Sequence, residues 1–240
     1  NTLYTKNLVN AIIASGMKLQ KFCFISSLAA FGPGDKNTFH PLQLSNAQQP
    51  VSDYGKSKLY AEQYLASVPG FPYLVVSPSA VYGPRDKDFF QFVKLINKGL
   101  EFYIGTGRQM ISLVYVKDLA KVVIQLFDIP AVNRHYLVSD RIHYNKEQLG
   151  CTIKELLQKK TIKIKFPLIP VRLVVAVIEK MYRLFGRRPF LNLQKITEIS
   201  STNWTCDSND VWRDLAASPQ YPLREGMKET IQWYQENKWL

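Results

Sequence analysis

Two short runs constrain the fold of this chain more than any other feature. Lys21-Phe22-Cys23-Phe24-Ile25-Ser26 and Tyr73-Leu74-Val75-Val76 are largely apolar, with no alternation of polar positions. A strand with one wetted face alternates, whereas a strand covered on both faces reads as a continuous apolar run, as in parallel sheets. Between them, Pro50 and Ser52 open a segment that Pro69-Gly70 closes, which predicts a helix over about 53–68. Strand, helix, strand in that order implies a βαβ crossover and an α/β, doubly wound parallel sheet. Ligands bind such sheets at the carboxyl ends of the strands. Ser26-Ser27, the start of the helix and Ser77 to Gly83 all fall at or beside that edge.

The flanking segments continue the pattern. Residues 2–15 form an amphipathic helix stopped by Gly16, and a Gly/Pro-punctuated loop runs from Phe31 to Pro50. Further on come a helix over Asp88 to Lys98, a strand over Leu113 to Val116 and a helix opened by Asp118. A strand over Arg134 to Ser139 and a helix from Asn145 follow, and helices over 208–216 and 223–237 finish the chain. Thr161 to Phe166 alternates, which predicts an edge strand with Lys163 and Lys165 on a solvated face. Leu173, Val174, Val177, Ile178, Met181, Leu184 and Phe185 recur at helical spacing, interleaved with Arg172, Lys180 and Arg183. Such a stripe is expected in the core or along an apolar pocket. Its uncharged run is too short to span a membrane, but a helix of this kind over 168–188 also suits peripheral contact with a membrane surface.

At the start of the 53–68 helix, Tyr54 and Lys58 stand four residues apart and therefore share a face, while Lys56 points away. An ammonium beside a phenol stabilises the phenolate, which suits a tyrosine that must give and take a proton near neutral pH. With 13 tyrosines and 21 lysines the spacing arises readily by composition, and Tyr234…Lys238 repeats it. The surrounding segments have to choose between the two.

Composition narrows the class. A 46% hydrophobic share in 240 residues supports a full core in one large domain, or one domain with a small appendage. Cys23, Cys151 and Cys206 are scattered and odd in number, so free thiols and a cytoplasmic, reducing location are expected, with Cys23 in the core. The net charge of +12 is spread along the chain apart from Lys159 to Lys165 and Arg183 to Arg188. No zinc finger, RNP-like aromatic motif or long basic block accompanies it, which argues against nucleic acid as a partner.

Taken together, these motifs resemble the extended short-chain dehydrogenase/reductase superfamily, of the NAD-dependent epimerase/dehydratase kind. Asn1-x-x-x-Thr5-x-Asn7-Leu8 is similar to a helix of that family, with Tyr4 where glycine is usual. Phe24 to Gly32 resembles its strand ending in a catalytic serine, Tyr54-Gly55-Lys56-Ser57-Lys58 its Tyr-x-x-x-Lys, and Pro78 to Arg85 its nicotinamide-side loop. Val114 to Ala120 and the ending Leu223-x-Glu225-Gly226-Met227…Trp233-Tyr234 match as well, which assigns Tyr234 to a C-terminal helix and leaves Tyr54 as the candidate.

The resemblance implies a Rossmann-like sheet with a small C-terminal α/β part that binds substrate. Residues 1–139 would be the remainder of the NAD(P)-binding domain, and 140–240 mainly the substrate-binding region, interleaved with segments around 82–115. Tyr54 would be the acid/base, Lys58 would lower its pKa and hold the nicotinamide ribose, and Ser27 would hydrogen-bond the reacting oxygen; Ser26 would be structural. Asn1 and the backbone of Pro78 and Ser79 would contact the cofactor, NAD or NADP, and no metal is implied. A homodimer through helices 2–15 and 53–68 is also implied.

Departures from the family pattern matter too. No Gly-x-x-Gly-x-x-Gly occurs in the chain, so an N-terminal segment is expected to be missing and the polypeptide as it stands to bind cofactor weakly. Ala80 stands where nucleotide-sugar enzymes often have asparagine, and Ile111 roughly where they have arginine; Arg85 or Arg108 would have to compensate. The expected substrate is therefore a small lipophilic alcohol or ketone, as in the hydroxysteroid-dehydrogenase-like and dihydroflavonol-reductase-like branches. A nucleotide-sugar epimerase or dehydratase is the alternative within the family, and a non-catalytic NAD(P)-sensing or interaction protein the alternative outside it.

Overall fold

The computed structural model describes residues 1–105, 107–186, 189 and 192–240. In chain order the elements are α1 (Thr2–Ala14), β1 (Phe22–Ile25), a 3-10 turn (Leu28–Ala30), α2 (Asp53–Ser67), β2 (Tyr73–Pro78), β3 (Ala80–Tyr82), α3 (Asp88–Asn97), β4 (Leu100–Ile104) and β5 (Met110–Tyr115). They continue with α4 (Val116–Asp128), β6 (Arg134–Val138), β7 (His143–Asn145), α5 (Lys146–Leu157), β8 (Ile162–Phe166), α6 (Leu168–Leu184), α7 (Leu193–Ser200), β9 (Asn203–Trp204), α8 (Asn209–Asp214) and α9 (Leu223–Glu236).

The two apolar runs pair as read. β1 lies parallel to β2, with Phe24 opposite Val75, and β2 lies parallel to β6, with Val76 opposite Tyr136. Helices cover both faces. On one, Val9 of α1 and Ala61 and Leu65 of α2 close over Phe24 and Val75. On the other, Val122 and Leu126 of α4 and Val211 and Trp212 of α8 close over Leu74, Val76 and Tyr136. Burial of both faces explains why neither run alternates. α2 starts where Ser52 Oγ accepts the Gly55 N–H at 3.2 Å, with Asp53 in the first turn.

A second layer grows from the far end of the sheet. β5 pairs parallel with β3 and with β9 and antiparallel with β7. Tyr82, Leu113 and Tyr115 pack there with Val93 and Ile96 of α3, Ile153 of α5 and Met227 and Tyr234 of α9. The second tyrosine of the repeated spacing is thus a core residue: Tyr234 is fully buried and its hydroxyl donates to the Asp86 carbonyl at 2.8 Å.

The structure corrects several expectations. β2 runs on through Ser77 and Pro78, because Pro78 still pairs with Val138 of β6. β5 is longer than the apolar core of its sequence, and Val116 already belongs to α4. β8 is an edge strand, but it pairs parallel with β4, and its lysine face is not simply solvated: Lys163 and Lys165 both reach Glu147, at 2.9 and 2.7 Å. Cys206, rather than Cys23, is the fully buried thiol, because Cys23 sits on an outer strand of the sheet while Cys206 lies under Leu28 and Phe31.

The largest correction concerns α6. Val175 is its one buried residue among those described, whereas Leu173, Val177 and Leu184 are 64%, 60% and 79% exposed. The stripe expected in the core faces outward. Arg187 and Arg188 of the expected 168–188 contact lie outside the described residues. Among the described residues no helix is long and apolar enough to cross a membrane.

Candidate active site

Three segments converge at the carboxyl ends of β1 and β2. Beyond β1, Ser27 is extended and caps the 3-10 turn, its Oγ accepting the Ala29 N–H at 3.2 Å. That contact uses a lone pair, so the hydroxyl proton remains available to a ligand. The first turn of α2 is laid directly on this 3-10 turn. Gly55 makes the approach feasible, since a Cβ at this position would stand 2.2 Å from the Ala29 carbonyl oxygen. The neighbouring Tyr54 is thereby placed beside Ser27, and its side chain is half exposed.

Lys58 follows one turn later. Its ammonium lies 5.8 Å from the Tyr54 ring centroid, 5.0 Å from that of Phe24, and donates to the Ile25 carbonyl at 2.7 Å. Partial burial pulls its pKa below the ordinary lysine value, with the Glu62 carboxylate working in the opposite sense. Glu62 itself accepts from Ser26 Oγ and from Gln48 Nε2, and so ties α2 to the end of β1. Ser26 has this structural partner, whereas Ser27 does not.

The third segment is the end of β2. Ser79 N–H donates to the Val138 carbonyl at 2.9 Å, and the buried Ser79 Oγ has no hydrogen-bond partner among the described residues. A buried hydroxyl without a partner is rare in a finished core and fits a site that awaits a polar ligand.

Ser27, Tyr54, Lys58, Pro78, Ser79 and Ala80 all line one cleft of about 1050 Å³. Its other walls include Phe89 and Phe92 of α3, Phe102 and Ile104 of β4, Ile111 of β5 and Leu149 of α5. Further polar groups lining the cleft come from residues that motif reading passes over. Gln194 of α7 accepts the Asp53 N–H at 3.0 Å and so bridges α7 to the start of α2. Lys195 pairs with Asp88 at 3.1 Å, and Gln109 Nε2 donates to the Ile104 carbonyl at 3.0 Å. Lys146 donates to the Ile199 carbonyl at 2.6 Å and has no carboxylate in ion-pair range among the described residues; burial lowers its pKa to about 8. No sequence motif marks Lys146, because its place in the cleft follows from β7 turning directly into α5 beside β5.

The remaining candidates lie elsewhere. Asn1 is at the start of α1, with Nδ2 donating to Ser57 Oγ at 3.1 Å, and is not among the cleft's lining residues. Arg85 is exposed just past β3, in the left-handed region at φ +70°. Arg108 stacks on Phe39, 5.3 Å from its ring, and lines a separate pocket of about 620 Å³ with Met110 and His143. The structure does not bring either arginine into the main cleft. Among the described residues no cluster of three or more His, Cys, Asp or Glu side chains could hold a metal ion.

Comparison with known proteins gives the family and the fold. The chain is 25% identical to dTDP-D-glucose 4,6-dehydratase of Mus musculus over 99% of its own length and 61% of that protein's. It therefore spans about 61% of the length of that relative. It is also 25% identical to sterol-4-alpha-carboxylate 3-dehydrogenase, decarboxylating, of Dictyostelium discoideum, covering 90% of this chain and 68% of that one. Its fold matches UDP-glucuronic acid 4-epimerase of Bacillus cereus, solved with UDP-glucuronic acid and NAD, at a TM-score of 0.76 and 17% identity, over 98% of this chain and 67% of that one. The model of the NAD dependent epimerase/dehydratase family matches residues 1–139. By its parallel sheet, its cleft and this match, the chain belongs to the NAD dependent epimerase/dehydratase family.

Proposed function

We propose that this chain carries the reacting groups of an NAD(P)-dependent site that oxidises or reduces a hydroxyl- or carbonyl-bearing carbon of a small lipophilic alcohol or ketone. The observation that carries this reading is that Ser27, Tyr54 and Lys58 line one cleft together with the apolar side chains of Phe89, Phe92, Phe102 and Ile104. The apolar wall comes from α3 and β4, not from the 173–185 stripe.

The residues present fit a nicotinamide cofactor. The unpartnered Ser79 hydroxyl and the N–H groups that Lys58 does not spend on Ile25 would meet its amide and ribose. When bound, NAD(P) supplies or accepts the hydride. Tyr54 Oη takes the proton from the substrate hydroxyl in oxidation, or returns it in reduction. The Ser27 O–H donates to the same oxygen and stabilises the charge that develops there. Lys58, a cation one turn away, lowers the cost of the tyrosinate.

A nucleotide-sugar substrate is the second reading, and Lys146 is the observation that favours it. An ammonium facing the cleft without a carboxylate suits the anionic oxygens of a diphosphate. A non-catalytic NAD(P)-binding role is the third, and the intact Ser27, Tyr54 and Lys58 set speaks against it. Steady-state assays of the full-length protein with NAD and NADP on a hydroxysteroid, an aliphatic ketone, dTDP-glucose and UDP-glucuronate separate the three. Net NAD(P)H change on the lipophilic compounds is expected, and it should vanish in Tyr54→Phe. Sugar conversion with no net cofactor change selects the second reading, cofactor binding without turnover selects the third, and turnover retained in Tyr54→Phe overturns the assigned role.

We also infer self-association through α1 and α2. These helices pack together, with Tyr64 Oη donating to Asn10, and leave Leu3, Tyr4, Leu8 and Tyr60 exposed on the outside. Light scattering should give a dimer that Leu8→Asp dissociates.

A further inference from the structure

α6 is assembled inside out. Ile169, Leu173, Val177 and Met181 follow one another at four-residue spacing, and with Leu184 they form a single apolar face. All five are exposed, Ile169 at 75%. Val175, two positions from both Leu173 and Val177, is the buried residue, so the body of the protein lies on the opposite side. A helix on a globular protein ordinarily turns its apolar stripe to the core. Ile162 and Phe166 of β8, the strand that leads into α6, are also exposed, at 68% and 41%. An apolar helix face left exposed in this way marks an interaction site.

Charge indicates what covers it. α6 carries the exposed cations Arg172, Lys180 and Arg183 against the single carboxylate Glu179, which pairs with Arg183 at 2.9 Å, and the chain as a whole has a net charge of +12. A second copy docking here by two-fold symmetry would set one cationic face against another. An anionic bilayer would accept the apolar side chains at the acyl boundary and pair the cations with headgroups. Long side chains such as Lys180 can bury their stems and keep the ammonium at headgroup level.

The surface also adjoins the cleft. Phe166 on the patch contacts Phe102, a cleft-lining residue, with ring centroids 5.6 Å apart. α6 packs on α7, whose Gln194, Lys195, Glu198 and Ile199 form the cleft wall on the other side. The outer face of this wall is apolar, and its inner face looks on the site.

We propose that the α6 face, with Ile162 and Phe166, docks on an anionic lipid bilayer and brings the Phe102 wall of the cleft to the membrane surface. Docking stands independently of the Tyr54 chemistry; delivery of a lipophilic substrate from the bilayer rests on the reading under Proposed function. Flotation with phosphatidylcholine vesicles, with and without phosphatidylglycerol, tests docking in the absence of substrate or cofactor, so its failure leaves that reading untouched. Wild-type protein should bind the anionic vesicles at least tenfold more tightly than the neutral ones at low salt. Leu173→Glu/Val177→Glu/Met181→Glu should lose at least tenfold of that binding at an unchanged melting temperature, since all three residues are exposed. Arg172→Glu/Lys180→Glu should erase the preference for anionic lipid. No binding by the wild type, or equal binding by the triple variant, overturns the proposal. It is equally overturned if light scattering shows a dimer that the triple variant dissociates while vesicle binding is absent.

Discussion

The Lys58 ammonium sits 5.8 Å from the centre of the Tyr54 ring and is anchored by the Ile25 carbonyl at 2.7 Å. The pair is therefore fixed in two directions, by one turn of α2 and by the end of β1. Lys58→Met should keep the fold and lower kcat by about two orders of magnitude or more, the scale of a lost acid–base partner. Tyr54→Phe should do the same, with melting temperature unchanged because its side chain is half exposed. Turnover measured beside thermal melting checks both.

Gly55 sets the distance between that helix and Ser27. A methyl group there would overlap the Ala29 carbonyl, so Gly55→Ala must push α2 off the 3-10 turn. Overpacking of this kind costs about 1–3 kcal/mol. Gly55→Ala should melt several degrees lower and lose turnover although no reacting group is changed.

Glu101 is fully buried on β4, where its carboxylate pairs with Lys154 at 2.8 Å and accepts from Tyr103 Oη and Thr161 Oγ1. Burial opposes ionisation, but these donors together hold its pKa below the ordinary value of 4.5. A lowered folded pKa gives stability that is present above 4.5 and lost as pH falls through the folded value. Glu101→Gln, which leaves the Lys154 ammonium without its partner, should destabilise the protein by about 3–5 kcal/mol at pH 7. The gap to wild type should close as the pH falls below about 4.5, which denaturant titration at several pH values would show.

Lys146 has the opposite sign. Burial moves its pKa from 10.5 to about 8, so folding disfavours its charged form. Stability should be penalised below pH 8 and recover as pH rises from 8 towards 10.5, where the unfolded chain binds more protons than the folded one. Lys146→Met should raise stability by about 1–3 kcal/mol at pH 7, with the gain fading towards pH 10. The same substitution should weaken binding of an anionic compound such as dTDP in the cleft.

Residues close in sequence made much of this legible. The apolar runs at 21–26 and 73–76 and the Ser52 cap describe a βαβ unit on their own, because strand burial and helix capping are local in origin. The same unit placed Ser27, Tyr54, Lys58, Pro78 and Ser79 on one edge, where the structure brings them into one cleft. Charge alone singles out Arg85 and Arg108, and charge says nothing about direction. Lys146 and Gln194 lie about 90 and 140 residues from Tyr54 along the chain, beyond the reach of any spacing argument.

The sequence by itself determined most of the helices, though not α7, and the parallel α/β sheet whose edge carries the candidate groups Ser27, Tyr54 and Lys58. Tertiary structure decided which tyrosine is buried, which residues wall the cleft, and which way α6 turns. The 173–185 stripe shows why. Helical spacing places apolar side chains on a common face, but it is unchanged when the helix is rotated about its own axis. Only the neighbours packed against a helix distinguish inside from outside, and α6 is packed on the side of Val175.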